Sequence, residues 1–309
     1  MNPLAAFGRM MSGWPPTAQA ATWILFTGLL ITFSLAIVRH IADQVHVFEI
    51  VFVRSVFGLM LMAPVVLRRP GAVPLMPNRP GLCILVGVLG LGAATCLFFA
   101  ASLMPLADIT AILFIRPIFV AMIAIAVLGE VSRGRRWGAI VLGLVGGLIV
   151  VRPGFAPFDY AILFVLGTVA IQSWNPINRK LLSRSDHPDT IALWMALVTI
   201  PIAGVAALFV WTTPTWEQLG WMMLVGLLET LTQRSLARGY MAGDATVIVA
   251  FTFTRLPIAA IVGFVLFGDV PELWVWVGGA VIVAAAAWLT RGEAGDEKKA
   301  GEAAPPTPT

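Results

Sequence analysis

The chain has 309 residues, of which 59% are hydrophobic and only 12% are charged, and its formal net charge is +4. A soluble domain carries about twice that share of charged residues, so the composition excludes an ordinary soluble protein and indicates an integral membrane protein. The basic residues fall between apolar runs, where membrane topology explains them, so the net charge does not indicate a nucleic-acid partner.

Ten apolar runs follow one another along the chain, and most have the roughly 20 residues that a helix needs to cross the bilayer. The predicted spans are Ala18–Val38, His46–Leu67, Gly81–Leu103, Leu106–Leu128, Trp137–Val151, Phe158–Ile177, Thr190–Trp211, Trp216–Ala237, Ala245–Phe267 and Glu272–Thr290. The predicted fold is therefore all-α, with ten transmembrane helices. The fifth span is short, and Gly143 and Gly147 lie on it four residues apart, a spacing that favours close packing against a neighbouring helix.

The basic residues also predict the orientation of these spans. With the N-terminus inside, 15 of the 20 Lys and Arg residues lie on the inner side, three lie within spans, and only Arg39 and Arg152 lie outside. Because basic loops stay in the cytoplasm, both termini are predicted to be cytoplasmic. Residues 1–17 form the N-terminal segment, and the charged, then Ala- and Pro-rich residues 292–309 form a disordered tail.

The sequence repeats itself at an offset of 139 residues. The offset aligns Arg116 with Arg255, Gly129-Glu130 with Gly268-Asp269, and Arg152 with Arg291. The copies, residues 18–152 and 158–291, hold five spans each, and because five is odd the second copy enters the membrane upside down. An inverted repeat can adopt two mirrored arrangements of its halves, which predicts alternating access to a site near the bilayer midplane.

Three features of each copy resemble a known family. They are a proline within the fourth span, the Leu128-Gly129-Glu130 exit from that span, matched by Phe267-Gly268-Asp269, and a glycine-rich fifth span. With them, residues 18–290 resemble the EamA-type halves of the drug/metabolite transporter superfamily, and Thr254-Arg255-Leu256-Pro257 resembles its S-adenosylmethionine-transporter-like branch. The resemblance implies secondary transport of a small metabolite through a cavity between the halves. The two copies differ in two details: Asp269 stands where the first copy has Glu130, and Pro257 lies one residue further from its arginine than Pro117 does.

The candidate substrate site begins with Arg116 and Arg255, which lie at mid-depth in the fourth and ninth spans beside these prolines. A guanidinium there needs an anion, carbonyl groups or water, and the proline can kink the helix and expose its backbone. Two roles are possible for this pair: at least one of the arginines lines a substrate cavity, or both only tie helices together. Arg54 is a third buried arginine, for which substrate contact, helix packing and snorkelling remain open.

Polar residues in two other spans complete the candidate site. Glu229 is the acid furthest from a span end, and it is either a proton-coupling group or the counter-ion of a buried arginine. The sixth span carries Trp174, Asn175 and Asn178, which either bind the polar head and apolar body of a substrate or form hydrogen bonds between helices.

The leading functional prediction is a secondary transporter of the inner (plasma) membrane that moves a carboxylate-bearing or zwitterionic metabolite of amino-acid or nucleoside–amino-acid type. The alternatives are a broad-specificity multidrug or metabolite exporter, a membrane-embedded enzyme and a channel. No nucleotide-binding, zinc-protease or intramembrane aspartyl-protease motif is present, so no catalytic residue, metal or cofactor is predicted. The predicted partners are a small-molecule substrate and the lipid bilayer, without nucleic acid, and the protein is a monomer or a homodimer.

Overall fold

The computed structural model describes residues 14–67, 76–116, 118–120, 122–123, 134–151, 159–182, 188–242, 251–252, 254–285 and 288. Within these residues ten helices have defined bounds, and shorter helical segments lie at residues 116, 118–120, 122–123 and 251–252. The ten helices are α1 Pro16–Ile41, α2 Val47–Leu67, α3 Pro80–Leu103, α4 Leu106–Leu113, α5 Gly134–Val151, α6 Ala161–Leu182, α7 Pro188–Leu208, α8 Trp216–Ala242, α9 Arg255–Phe267 and α10 Leu273–Ala285. One helix therefore corresponds to each predicted span, and an all-helical fold is confirmed for the described part of the chain.

Length and hydropathy identify two of the described helices as able to cross a membrane, namely Ala18–Ile41 and Pro80–Leu103. Shorter apolar helices follow at Val141–Val150, Ala161–Trp174, Leu193–Leu208, Arg255–Phe267 and Leu273–Ala285. Parts of the predicted fourth and ninth spans, residues 124–128 and 245–250, lie outside the described residues, as do the two terminal segments 1–13 and 289–309.

The most extensive contacts between helices follow an exchange pattern, whereas the α1–α3 and α2–α3 contacts have no counterpart of similar extent among the described residues. The contact α1–α8 corresponds to α6–α3, and the contact α2–α8 corresponds to α7–α3. In the same way, the contact α1–α9 corresponds to α6–α4. In each correspondence, one contact turns into the other when every helix is replaced by the helix five places away in the chain. The pairs α2–α7 and α4–α9 map onto themselves. The arrangement is what two related five-helix units facing each other would produce.

The glycine-rich faces of α5 and α10 meet at backbone distance. A Cβ on Gly146 would lie 3.0 Å from the Gly278 carbonyl oxygen, and a Cβ on Gly278 would lie 2.7 Å from the Gly146 carbonyl oxygen. Gly143 and Gly147 face the side chains of Ile118 and Ile115 with no space for a Cβ. The close packing predicted from the spacing of Gly143 and Gly147 is therefore confirmed.

Candidate functional site

Helix α4 ends at Leu113, in mid-span, and helical backbone resumes at Arg116. The Phe114 N–H donates to the Ala111 and Ile112 carbonyls, and the Ile115 N–H donates to Ile112 at 3.0 Å, so the last turn tightens to three-residue spacing. Proline has no N–H, so residue 117 cannot donate the helical hydrogen bond to the Leu113 carbonyl. The missing N–H is consistent with a break in this span, and Arg116 lies at the break, two residues after the C-cap of α4 and at the start of the next helical segment.

Helix α9 begins at mid-span, and Arg255 is its first residue. The preceding Thr254 gives no side-chain cap, because its hydroxyl donates to the Phe251 carbonyl at 2.6 Å. The first turn of a helix presents unpaired N–H groups and a partial positive charge. Arg255 therefore adds its charge to the positive end of α9, a position that calls for an anion.

Arg54 and Glu229 form an ion pair between α2 and α8, with Nη1 and Oε2 3.6 Å apart. The Arg54 guanidinium also lies over the Phe98 ring of α3, 4.9 Å from its centroid. Gly226 makes the pair possible, since a Cβ there would lie 2.9 Å from the Arg54 carbonyl oxygen, and so α8 approaches α2 closely one turn before Glu229. Counter-ion and proton-coupling group both stay predictions for Glu229, and its contact with Arg54 is compatible with the first.

The two mid-span arginines differ in their contacts. Arg116 donates from Nη2 to the Gln172 carbonyl of α6 at 3.3 Å. Arg255 lies within electrostatic range of Glu229 and Arg116. Its Nε and Nη2 atoms are buried and have no hydrogen-bond partner among the residues that the structure describes. Among the described residues, the centre of the protein thus gathers three guanidinium groups and one carboxylate, with two nitrogens of Arg255 and the Nε of Arg54 short of acceptors.

The residues predicted on α6 are Trp174, Asn175 and Asn178, and the two whose side chains the structure describes differ in how far they are buried. In the described part of the chain, this helix reaches Arg116 through the Gln172 backbone, a contact that the side-chain pattern does not reveal. Trp174 is 42% exposed and Asn178 is buried, while the side chain of Asn175 lies outside the described residues. Among the described residues, no cluster of His, Cys, Asp and Glu could hold a metal ion.

Polar contacts that the sequence did not predict join distant segments at one end of the molecule. Arg39, in the last turn of α1, pairs with Asp269 beyond α9, and its guanidinium lies over the Phe267 ring, 4.4 Å from the centroid. Glu49 of α2 is fully buried and accepts hydrogen bonds from the Thr212 N–H at 3.0 Å and hydroxyl at 3.1 Å.

Comparison with known proteins agrees with this arrangement. Residues 18–152 match the EamA-like transporter family. The S-adenosylmethionine uptake transporter of Rickettsia bellii is 26% identical over 88% of this chain and 93% of its own length. The riboflavin transporter of Vibrio cholerae is 26% identical over 89% and 94%, and the pseudopaline exporter CntI of Pseudomonas aeruginosa is 27% identical over 85% and 94%.

A solved crystal structure shares the fold with a TM-score of 0.61 at 20% sequence identity, over 88% of this chain and 96% of that one. The family match lies on the copy that contains α1–α5, and each of these curated relatives spans most of both copies. The chain thus contains an EamA-like transporter domain at residues 18–152, and over most of its length it is similar to transporters of small molecules rather than to enzymes.

Proposed function

We propose that this protein is a secondary transporter for a small organic metabolite that carries a carboxylate, alone or within a zwitterion. The observation that carries the proposal is the state of Arg255, whose buried Nε and Nη2 have no acceptor among the described residues. A guanidinium presents donors in a planar fork that matches a carboxylate. A bound carboxylate would supply the missing acceptors at the positive end of α9.

The charges around Arg255 support an anionic group on the substrate. Arg54 already has Glu229 as its partner, and the positive charge of Arg116 acts on Arg255 as a repulsion. A carboxylate placed between these two arginines would remove that repulsion in a region of low dielectric constant. Arg116 keeps its contact with the Gln172 carbonyl and would share the anion with Arg255.

Glu229 supports a zwitterion rather than a simple anion. Its side chain is 32% exposed, against 12% for Arg54, so a ligand can reach the acid more readily than the arginine. A cationic group on the substrate could therefore approach Glu229 while the carboxylate contacts Arg255. Trp174 and Asn178 remain the proposed contacts of α6 with the body of the substrate, together with Asn175.

The relatives narrow the substrate class. S-adenosylmethionine and riboflavin appear in the names of similar transporters. The first bears an amino-acid group with both charges, whereas riboflavin has no carboxylate. The charged site favours the first chemistry, so we propose an amino acid joined to a nucleoside, or a close analogue of it.

Alternating access between residues 18–152 and 158–291 is proposed as the transport mechanism. The exchange pattern of helix contacts supports it, because two related units can trade their arrangements about a shared site. The broken helices at Arg116 and Arg255 support it too, since irregular backbone within a membrane is tolerated where it lines a cavity or is buried in protein.

The test is the thermal stability of the purified protein with a matched set of ligands. S-adenosylmethionine and S-adenosylhomocysteine should raise the melting temperature, whereas adenosine, which lacks the carboxylate, and riboflavin should not. A ligand at a hundred times its dissociation constant stabilises by about 2.7 kcal/mol. Arg255→Gln and Arg255→Lys should remove the response, and Arg79→Gln, at an exposed arginine before α3, should retain it.

Two results would overturn the proposal. One is stabilisation by adenosine equal to that by S-adenosylhomocysteine, because the carboxylate would then be irrelevant. The other is an undiminished response in a folded Arg255→Gln protein. Saturable uptake into vesicles, accelerated by substrate on the opposite side, would separate a carrier from a channel.

A further inference from the structure

The ion pair between Arg39 and Asp269 lies at the far end of the two helices that flank Arg255. On α1, a Cβ at Gly28 would lie 3.9 Å from the Cβ of Arg255, and Arg39 follows three turns later. On α9, Arg255 is the first residue and Asp269 lies two residues beyond the last. The helices α1 and α9 pack together, so their seam runs from the candidate site to the ion pair.

The end of α9 is built to hold Asp269 against α1. Gly268 has a left-handed backbone, with φ of 72°, and its N–H donates to the Phe264 carbonyl. The Asp269 N–H then folds back to donate to Gly263 at 3.2 Å. A Cβ on Gly263 would lie only 3.3 Å from Oδ2 of Asp269, so the glycine leaves room for the carboxylate.

Electrostatics make Asp269 depend on Arg39. An acid at the C-terminus of a helix is unfavourable, whereas a cation there is favourable. Asp269 follows the C-terminus of α9, and Arg39 lies in the last turn of α1. The arginine binds both carboxylate oxygens, with Nη2 3.1 Å from Oδ1, and it covers the Phe267 ring. One side chain thus holds the ends of both helices together.

The exposure of this pair distinguishes it from the neighbouring polar contact. Glu49, which also links the two copies, is fully buried, whereas the Arg39 and Asp269 side chains are 21% and 15% exposed. Water can therefore reach the charges when they separate, so opening does not leave an unsolvated ion. A contact of this kind can break and re-form during a cycle.

We infer that Arg39 and Asp269, with Phe267 and Gly268, form a gate that closes the α1–α9 seam above the substrate site in this structure and opens in each transport cycle. The inference rests on the proposed transport function, in which the seam belongs to the access route. It gives a role to the Gly268-Asp269 exit motif, which is not among the proposed substrate contacts.

Accessibility of a single cysteine tests the gate without any substrate. Thr32 is 1% exposed and lies one turn after Gly28 on α1, on the face that Arg39 also occupies. In a background with Cys83 and Cys96 replaced by alanine, Thr32→Cys is treated with a membrane-impermeant maleimide in right-side-out and inside-out vesicles. Labelling from the Arg39 side should be slow while the gate holds.

Breaking the pair should speed that labelling. Asp269→Asn and Arg39→Gln are each expected to raise the rate on the order of tenfold, because removing roughly 1.4 kcal/mol of bias shifts a closed–open equilibrium by that factor. Asp43→Asn is the matched control, since Asp43 is an exposed acid in the turn that follows α1. The charge exchange Arg39→Asp with Asp269→Arg should return the rate toward that of the parent.

The inference is overturned if Asp269→Asn and Arg39→Gln, folded as shown by an unchanged melting temperature, label no faster than Asp43→Asn. It is also overturned if the charge exchange labels as fast as the single variants. Should one single variant fail to fold, the other decides. Ligand binding by Arg255→Gln is measured by thermal stability and not by cysteine labelling. Failure of the substrate proposal and failure of the gate therefore give different results.

Discussion

At the scale of single residues, the charges in the centre of the protein are balanced unevenly. Arg54 has a carboxylate and an aromatic ring, and Arg116 contacts a backbone carbonyl. Among the described residues, one nitrogen of Arg54 and two of Arg255 have no hydrogen-bond partner. A transporter that held every guanidinium in a complete ion pair would bind an anion weakly. The shortage of acceptors at Arg255 is therefore the feature most closely tied to function.

Replacing Glu229 tests its role as counter-ion. Glu229→Gln should lower stability by about 1–3 kcal/mol, because it leaves the Arg54 guanidinium without its acid, and the partial exposure of Glu229 reduces the loss below that of a fully buried pair. Glu217→Gln, at an exposed acid in the first turn of α8, should change little. Melting temperature is the measurement, and Arg54→Met with Glu229→Gln should lose less than the sum of the single changes.

A different result would identify Glu229 as a proton-coupling group. In that case Glu229→Gln would keep the parent's melting temperature while flux lost its dependence on a pH gradient. A variant with normal stability and unchanged pH dependence would contradict both roles and leave Glu229 as a helix-packing residue.

The sequence indicates candidate site residues, but it does not indicate the partners that they contact in the structure. Arg54, Arg116, Arg255 and Glu229 stand out because a charge within an apolar span is expensive and therefore noticeable. The pairing of Arg39 with Asp269 joins residues 230 positions apart, and neither residue is unusual at the end of a span. The same holds for Glu49 and Thr212, since only the packing of α2 against the α7–α8 connection brings them together.

At the scale of helices, covalent chemistry explains where the structure departs from ten uninterrupted spans. The proline at 117 is consistent with the break that follows the end of α4 at Leu113, and Pro257 lies in the first turn of α9, where a missing N–H is tolerated. The sequence predicted kinks at these prolines, whereas the α-helical segments end or begin there. Backbone sterics predict the effect of a proline, but the surrounding packing decides between a kink and a break.

The glycine contact between α5 and α10 predicts a sharp sensitivity to one methyl group. Gly278→Ala should destabilise the protein by about 1–3 kcal/mol through overpacking, because its Cβ would lie 2.7 Å from the Gly146 carbonyl oxygen. Gly220→Ala is the control, since a Cβ there meets no atom within 4 Å. It should be neutral or stabilising by up to about 1 kcal/mol, as alanine is the better helix former. Equal melting temperatures for the two variants would contradict the close approach.

At the scale of the whole molecule, the two copies are related but not equivalent. Contacts such as α1–α8 and α3–α6 exchange with one another, yet the Arg54–Glu229 pair has no counterpart. The positions offset from it by 139 residues are Leu193 and Gly90. An asymmetric charge site of this kind suits a substrate whose two ends differ in charge.

The orientation of the scaffold in the membrane gives the last prediction. The distribution of lysine and arginine predicts both termini inside and the Arg39–Asp269 gate outside. A reporter that works only in the cytoplasm should therefore be active when fused after residue 309, and a reporter that works only outside should be inactive there. Fusions that end at Gln44 or Thr212 should show the opposite pattern, because both residues lie at the same end as Arg39. An active external reporter at residue 309 would require an odd number of spans, and it would contradict the ten-span arrangement on which the inverted repeat depends.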